Sequence, residues 1–324
     1  MGNTDTLAKQ YMSDNRVFAD AFNFYLYSGR QVIQPGNLHP MDTTAIAVPF
    51  GNGGKRHPVQ KYRDVIKYLT AMEDGEMAYL VLGIENQANI HYAMPPRNLL
   101  YDALEYTRQV EQTAARRREV KDTKYSTGEY LSGFGKSDKL IPVITLVIYF
   151  GSEKWDAPRS LHEMLAIQNK EILSYVSDYK LNLIVPEELS TKDFQKFQTD
   201  LREVMQYIQY STDREKLSAL LEDNSRFSRM EWNAAMLLNE CTKSGLKFHK
   251  SGGYVDMCKA IKEIREKEYS GGHEAGFKKG HEEGCIKGTQ NSLTALMKNM
   301  GLSLEQAMDV LDIPEEERSM YQKN

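Results

Sequence analysis

The sequence predicts an α/β protein with a mixed sheet in its N-terminal part and an all-helical region after it. Three observations predict it. A β-hairpin is legible over residues 63–87, a long helical pattern follows, and two apolar runs of strand type come after that helix. From Thr191 onward the pattern is helical throughout. The chain therefore divides into an α/β core at 1–190, a helical accessory region at 191–269, and a glycine-spaced helical tail with two short terminal helices at 270–324.

The elements follow in order. In "SDNRVFADAFNFYLYSG" Ser13 is placed to cap a helix and Gly29 to end it, with Phe18, Phe22, Tyr25 and Leu26 recurring on one face. "QPGNLHPMD" reads as loop and "AIAVPF" as a short strand. "GNGGKRHP" is turn-rich but lacks the spacing of a phosphate-binding loop, so no nucleotide cofactor is expected. After the hairpin, "MPPRNLLYDALEYTRQVEQTAARRR" opens with prolines, as helices do, and runs to about Arg118. "KLIPVITLVIYFG" and "LNLIVP" are apolar strands, the first of a type buried on both faces. Glycines at 272, 276, 280, 284 and 288 mark either a linker or a ridge for close helix approach.

Composition sets limits. In 324 residues the hydrophobic share is 41 % and the charged share 27 %, an ordinary globular balance. A net charge of −4 argues against an overall basic coat but leaves room for a basic groove. Three cysteines without CxxC spacing suggest neither disulfides nor zinc, and the histidines lack HExxH spacing. No apolar run approaches about 18 residues and the start is polar, so no membrane partner is expected and the cytoplasm is the expected compartment. Residues 291–324 hold three basic residues against six acidic ones, which points the tail toward self-association rather than phosphate binding.

The hairpin carries the candidate chemistry. Asp74-Gly75 is a strong two-residue turn signal, and a turn there pairs residues whose numbers sum to 149. Asp64 then faces Glu85, with Gln87 two residues farther along the same face. Opposed carboxylates repel, so a shared proton, a basic neighbour or a bound cation must justify them. Mg²⁺ suits best, since it accepts one or two carboxylates and keeps several waters, and the Asn86 backbone carbonyl is a further oxygen donor. A metal-bound water near Gln87 would be an oriented nucleophile for a phosphodiester. Solvated strand-end carboxylates are the alternative.

These residues lie in blocks that resemble the PD-(D/E)XK nuclease family transposases, or recombination-promoting nucleases. The blocks are "YMSDNRVFADAFNFYLYSG", "RDVIKY", "AYLVLGIENQANIHYAMPPRNLLYDALEYTRQV", "LIPVITLVIYFG", "WDAPRSLHEML", "GHEAGFKKGHEEG" and "MGLSLEQAMDVLDI", in that order along nearly the whole chain. The resemblance implies a restriction-endonuclease-like αβββαβ core and a Mg²⁺-dependent DNA endonuclease, with Mn²⁺ as an alternative metal. It places the metal-binding Asp on Asp64 and the Glu of the E-x-K element on Glu85, with Gln87 where lysine is commoner. A glutamine amide orients water but adds no charge. The first helix of that fold often supplies an acidic residue, for which Asp20 is the candidate with Asn23 beside it. Arg97 and Tyr101 share a helix face and either reach a phosphate or pack beside the sheet. Arg116, Arg117, Arg118, Lys121 and Lys124 form either a DNA-backbone contact or a solvated helix end. The rival readings are a degenerate nuclease fold that only binds nucleic acid, and a regulatory protein that self-associates through its tail.

Overall fold

The computed structural model describes residues 3–41, 44–47, 59–62, 64–73, 76–120, 126–248 and 252–321. By internal contacts the chain divides into two units, Met1–Cys258 and Lys259–Asn324.

The first unit is mixed α/β around a five-stranded sheet. Its strands are β1 (Leu38–Pro40), β4 (Val65–Glu73), β5 (Glu76–Gln87), β6 (Val143–Tyr149) and β7 (Asn182–Ile184), lying side by side in that order. β1, β4 and β5 are antiparallel neighbours, whereas β6 runs parallel to β5 and β7 parallel to β6. The β4–β5 ladder runs from Val65↔Ile84 to Glu73↔Glu76, every pair summing to 149, as the hairpin reading predicts. Asp74 and Gly75 themselves lie outside the described residues.

Two helices precede the sheet. α1 (Asn3–Met12) buries Ala8, Tyr11 and Met12, which share one face by their i, i+3, i+4 spacing. α2 (Asn15–Tyr27) buries Val17, Phe18, Ala21 and Phe22 on its inner side. Its N-cap is Asp14, whose side chain accepts the Arg16 N–H, and not Ser13 as the sequence suggests. Ser13 is occupied by the end of α1, donating to the Lys9 carbonyl at 2.7 Å. Gly29 does sit past the helix end at φ 89°, pressed against the Lys196 backbone where a side chain would collide.

One buried lysine pins the corner between these helices to the sheet. Lys67 of β4 donates to the Ser13 carbonyl and to Asn15 Oδ1, both at 2.6 Å, and lies 4.8 Å from the centre of the Phe18 ring. The alternation of β4 therefore sets the α1–α2 face of the sheet on the side of Lys67.

α3 (Met94–Val120) covers the other face and makes the crossover to β6. Its inward stripe is polar and clamps the incoming strand. Gln109 exchanges two hydrogen bonds with the Ile141 backbone (2.8 and 3.2 Å), and Tyr106 accepts the Val143 N–H. Asp102 accepts the Thr145 and Tyr179 hydroxyls, each at 2.6 Å. The β6 segment between these anchors and the site buries Leu146, Val147, Ile148 and Tyr149 on both faces.

Pairing across distance corrects two local readings and completes a third. Residues 34–42 read as loop, yet Leu38–Pro40 form the edge strand, too short to carry an alternating pattern. The strand expected in "AIAVPF" is present as β2 (Thr44–Ala47), but it pairs with β3 (Val59–Tyr62) in a separate ribbon. The region after Thr191 also contains a ribbon, Met230–Glu231 with Tyr254–Val255, amid its helices.

The second unit is helical. The helix Met257–Met300, which begins just before it, runs through all five spaced glycines. Around Gly280, Gly284 and Gly288, among the described residues, nothing beyond the helix's own nearby backbone stands within 4 Å of where a side chain would begin. Gly301 (φ 65°) ends the helix, and Ser303 with Gln306 forms a capping box that starts Leu304–Val310. Leu293, Ala307, Met308 and Ile313 form its small core.

Lys67 makes the fold sensitive to pH. Burial pulls its pKa down from 10.5 to about 8, against the Asp14 carboxylate, which pulls it up. Between those values the unfolded chain binds more protons than the folded one, so stability rises with pH through the window. Urea unfolding from pH 8 to 10 is expected to show that rise in the wild type and to lose it in Lys67→Met. Parallel profiles for the two would remove Lys67 from this role.

Candidate active site

The candidate site lies at the end of the β4–β5 ladder, on the α3 side of the sheet. Continuing the register one rung past Val65↔Ile84 brings Asp64 opposite Glu85. Asp64 sits on the bend that enters β4, and its Oδ2 accepts the Asn86 N–H at 2.8 Å. The carboxylate is thereby tied across the strand gap to the backbone of the Glu85–Asn86–Gln87 segment.

Glu85 is fully buried on the central strand, where alternation puts it on the face that carries Thr145 and α3. A buried carboxylate needs a counter-charge. Arg97, in the first turn of α3, supplies it with Nη2 at 3.2 Å from Glu85 Oε2. The guanidinium is held in turn by Tyr101, whose hydroxyl accepts from Arg97 Nε at 3.1 Å. Burial works against the Arg97 charge, and Glu85, Tyr101 and Asp64 together more than offset it, raising its pKa.

Asp64 feels the same guanidinium. Burial pushes its carboxyl pKa up, while the Asn86 N–H and then Arg97 pull it down. Two residues of α1 add smaller, opposed effects, Asp5 raising and Lys9 lowering it. Neither figures among the residues read from the sequence. Their i, i+4 spacing was visible, but nothing local connects α1 to a strand end some 55 residues away.

Gln87 shares the Glu85 face, with its Nε2 donating to the Asn86 carbonyl at 2.9 Å and its own carbonyl accepting the Phe150 N–H. The Asn86 carbonyl proposed as a metal oxygen thus already carries one hydrogen bond. The Asn86 side chain points to the opposite, α1–α2 face, buried and, among the described residues, with no hydrogen-bond partner for either amide atom.

The donor set fits a hard cation. It consists of the Asp64 and Glu85 carboxylates and a backbone carbonyl, all oxygen, with lone pairs beyond those the N–H donors occupy. Among the described residues no three His, Cys, Asp or Glu side chains gather, so an all-protein cage of zinc type is not present there. Mg²⁺ needs only one or two carboxylates and fills its octahedron with water.

The other candidates separate. Arg97 and Tyr101 join Glu85 as described. Asp20 turns away from the hairpin and accepts the Gln198 and Thr199 N–H groups and the Thr199 hydroxyl at 2.7–3.0 Å. Asn23 clamps the Ile33 backbone, accepting its N–H at 2.8 Å and donating to its carbonyl at 2.9 Å. These two hold loops, which a helix-face reading has no means to foresee. Arg117 forms an ion pair with Asp138, whereas Arg116 and Arg118 are exposed. Lys121 and Lys124 lie outside the described residues.

Asp20 is therefore expected to matter for stability. Asp20→Ala removes the buried acceptor that holds the half-buried 198–199 turn and should cost about 1–3 kcal/mol in urea unfolding, the order of one unmet donor, since water reaches the turn in part. A loss below about 0.5 kcal/mol would return Asp20 to the list of site candidates.

No family model matches the chain, and no curated protein or solved structure does either.

Proposed function

We propose that the protein is a Mg²⁺-dependent DNA endonuclease of the PD-(D/E)XK type, hydrolysing phosphodiester bonds. The observation that carries this reading is the Asp64–Glu85 rung: two carboxylates at the end of a hairpin, one fully buried, one bonded to Asn86 N–H, with Arg97 acting on both. Element order adds support. α2, the antiparallel run β1–β4–β5, α3 and the parallel β6 follow the αβββαβ order of that core.

In this reading Asp64 and Glu85 hold the cation, which when bound would lower the pKa of a water and stabilise charge on the phosphate. The chain's own groups do the rest. Gln87, with its amide N–H on the Asn86 carbonyl, has its amide oxygen left to accept from and orient the attacking water. Arg97 puts positive charge beside the reacting phosphate, the role that lysine plays in the commoner E-x-K arrangement. Exposed Arg116 and Arg118 at the far end of α3 hold the DNA backbone. Among the described residues no helix is long and apolar enough to cross a membrane.

One observation favours a second reading. Glu85 already has Arg97, Asp64 has an N–H, and Gln87 bonds to its own strand, an arrangement also suited to a nuclease fold that binds nucleic acid without cutting it.

Single-turnover cleavage of DNA in Mg²⁺, with binding measured in Ca²⁺, separates the two. Gln87→Ala is expected to slow cleavage by about 10²-fold with affinity nearly intact. Asp64→Ala is expected to be slower still. Equal cleavage by wild type and Asp64→Ala would overturn the enzyme reading in favour of the binder.

The acidic tail is assigned to self-association. Deleting residues 270–324 is expected to lower the number of chains per particle found by light scattering while DNA binding persists. Loss of DNA binding at an unchanged oligomeric state would reverse that assignment.

A further inference from the structure

Repelling carboxylates at Asp64 and Glu85 need a shared proton, a basic neighbour or a cation, and the structure contains the basic neighbour. We propose that Arg97 is a built-in placeholder cation, which neutralises the candidate metal ligands when no metal is bound and gives up Glu85 as that carboxylate takes up a divalent ion. The inference rests on the nuclease reading above and adds a regulatory element to the same site.

Four observations carry it. Glu85 is 0 % exposed, so its charge cannot be met by water and requires a counter-ion at all times. Arg97 provides one at 3.2 Å, and its charge acts on Asp64 as well, so a single guanidinium serves both carboxylates. The arginine side chain is 35 % exposed, so its head group has an open side toward which to move. Finally, it is tethered: Tyr101, one helical turn on, accepts from Nε, and the guanidinium lies 5.7 Å from the centre of its ring. Swinging off Glu85 therefore need not carry the charge out of the site.

The consequence is competition. A second cation placed on Glu85 while Arg97 remains would set like charges a few ångströms apart, so the two occupancies oppose each other. The resting chain avoids an uncompensated buried charge, and divalent affinity is lowered by whatever holds Arg97 in place. When Arg97 lets go, its charge becomes available to a phosphate oxygen on the exposed side of the site. Arg97 is thus a positioning residue first and a phosphate contact second.

The test is calorimetric titration of the full-length protein with Mn²⁺, without DNA, so no turnover is read. Arg97→Met is expected to bind Mn²⁺ about tenfold more tightly than wild type, a coupling of the usual size between linked sites. It should also gain more in melting temperature from added Mn²⁺ than wild type gains. Should Arg97→Met fail to fold, Tyr101→Phe supplies the second arm, since it loosens the guanidinium while keeping the charge, and a smaller tightening is expected. Glu85→Gln and Asp64→Asn are expected to abolish or strongly weaken binding. Equal or weaker Mn²⁺ affinity in Arg97→Met, or in Tyr101→Phe if that alone folds, with binding still lost in Glu85→Gln, overturns the placeholder and leaves the metal site standing. Binding unaffected by Glu85→Gln and Asp64→Asn overturns the metal site itself, and the placeholder with it.

Discussion

The buried charge of Glu85 is the constraint around which the first unit is organised. A carboxylate with no exposure on the central strand of a sheet is tolerated only beside a fixed positive charge, and Arg97 provides it from the first turn of α3. Holding that arginine in place requires that α3 be held, and the polar stripe of the helix does so. Asp102, Tyr106 and Gln109 bind Thr145, Val143 and Ile141, so the helix that neutralises Glu85 also sets where β6 begins. The long crossover between two parallel strands is thereby fixed at both ends.

The β4–β5 register connects this face to the other one. With pairs summing to 149, Lys67 points to α1 and α2 while Glu85 points to α3. A slip of one residue would turn Lys67 away from the Ser13 carbonyl, or Glu85 away from Arg97, and either leaves a buried charge uncompensated. The sheet therefore carries a buried cation on one face and a buried anion on the other, each with its own partners. That pair of requirements specifies a single register more strongly than an apolar alternation would.

The same geometry gives the candidate site a full set of internal contacts. Every group read as a ligand or water-orienter has an internal partner: Asn86 N–H on Asp64, Arg97 on Glu85, and the Gln87 amide on the Asn86 carbonyl. Buried polar groups are costly when left alone, so the proposed metal site needs such partners to stay folded without a cation. The exchange of one set for another is then part of the function proposed for it. Asp20 and Asn23 show the opposite case, polar side chains spent mainly on backbone groups, those of the 198–199 turn and of Ile33.

Sequence by itself determined those features whose cause is local. The Asp74-Gly75 turn signal implies the register, the register puts Asp64 opposite Glu85, and Pro95 and Pro96 mark the start of the helix that brings Arg97 and Tyr101 onto one face. The double-sided burial of β6 was likewise legible in its apolar run, which only Thr145 interrupts. Tertiary structure alone decided what depends on a partner far along the chain. Three-residue β1 is a strand only because β4 offers it an edge, and Asp14 rather than Ser13 caps α2 because Ser13 closes α1. Asp20 became a loop anchor through residues 198 and 199, and Asp5 and Lys9 came to act on Asp64, by packing of elements that share no pattern. The choice among proton, base and cation for the facing carboxylates was also beyond the sequence. It turned on where Arg97 points, and side-chain direction across a helix–sheet interface is set by the packing of both elements.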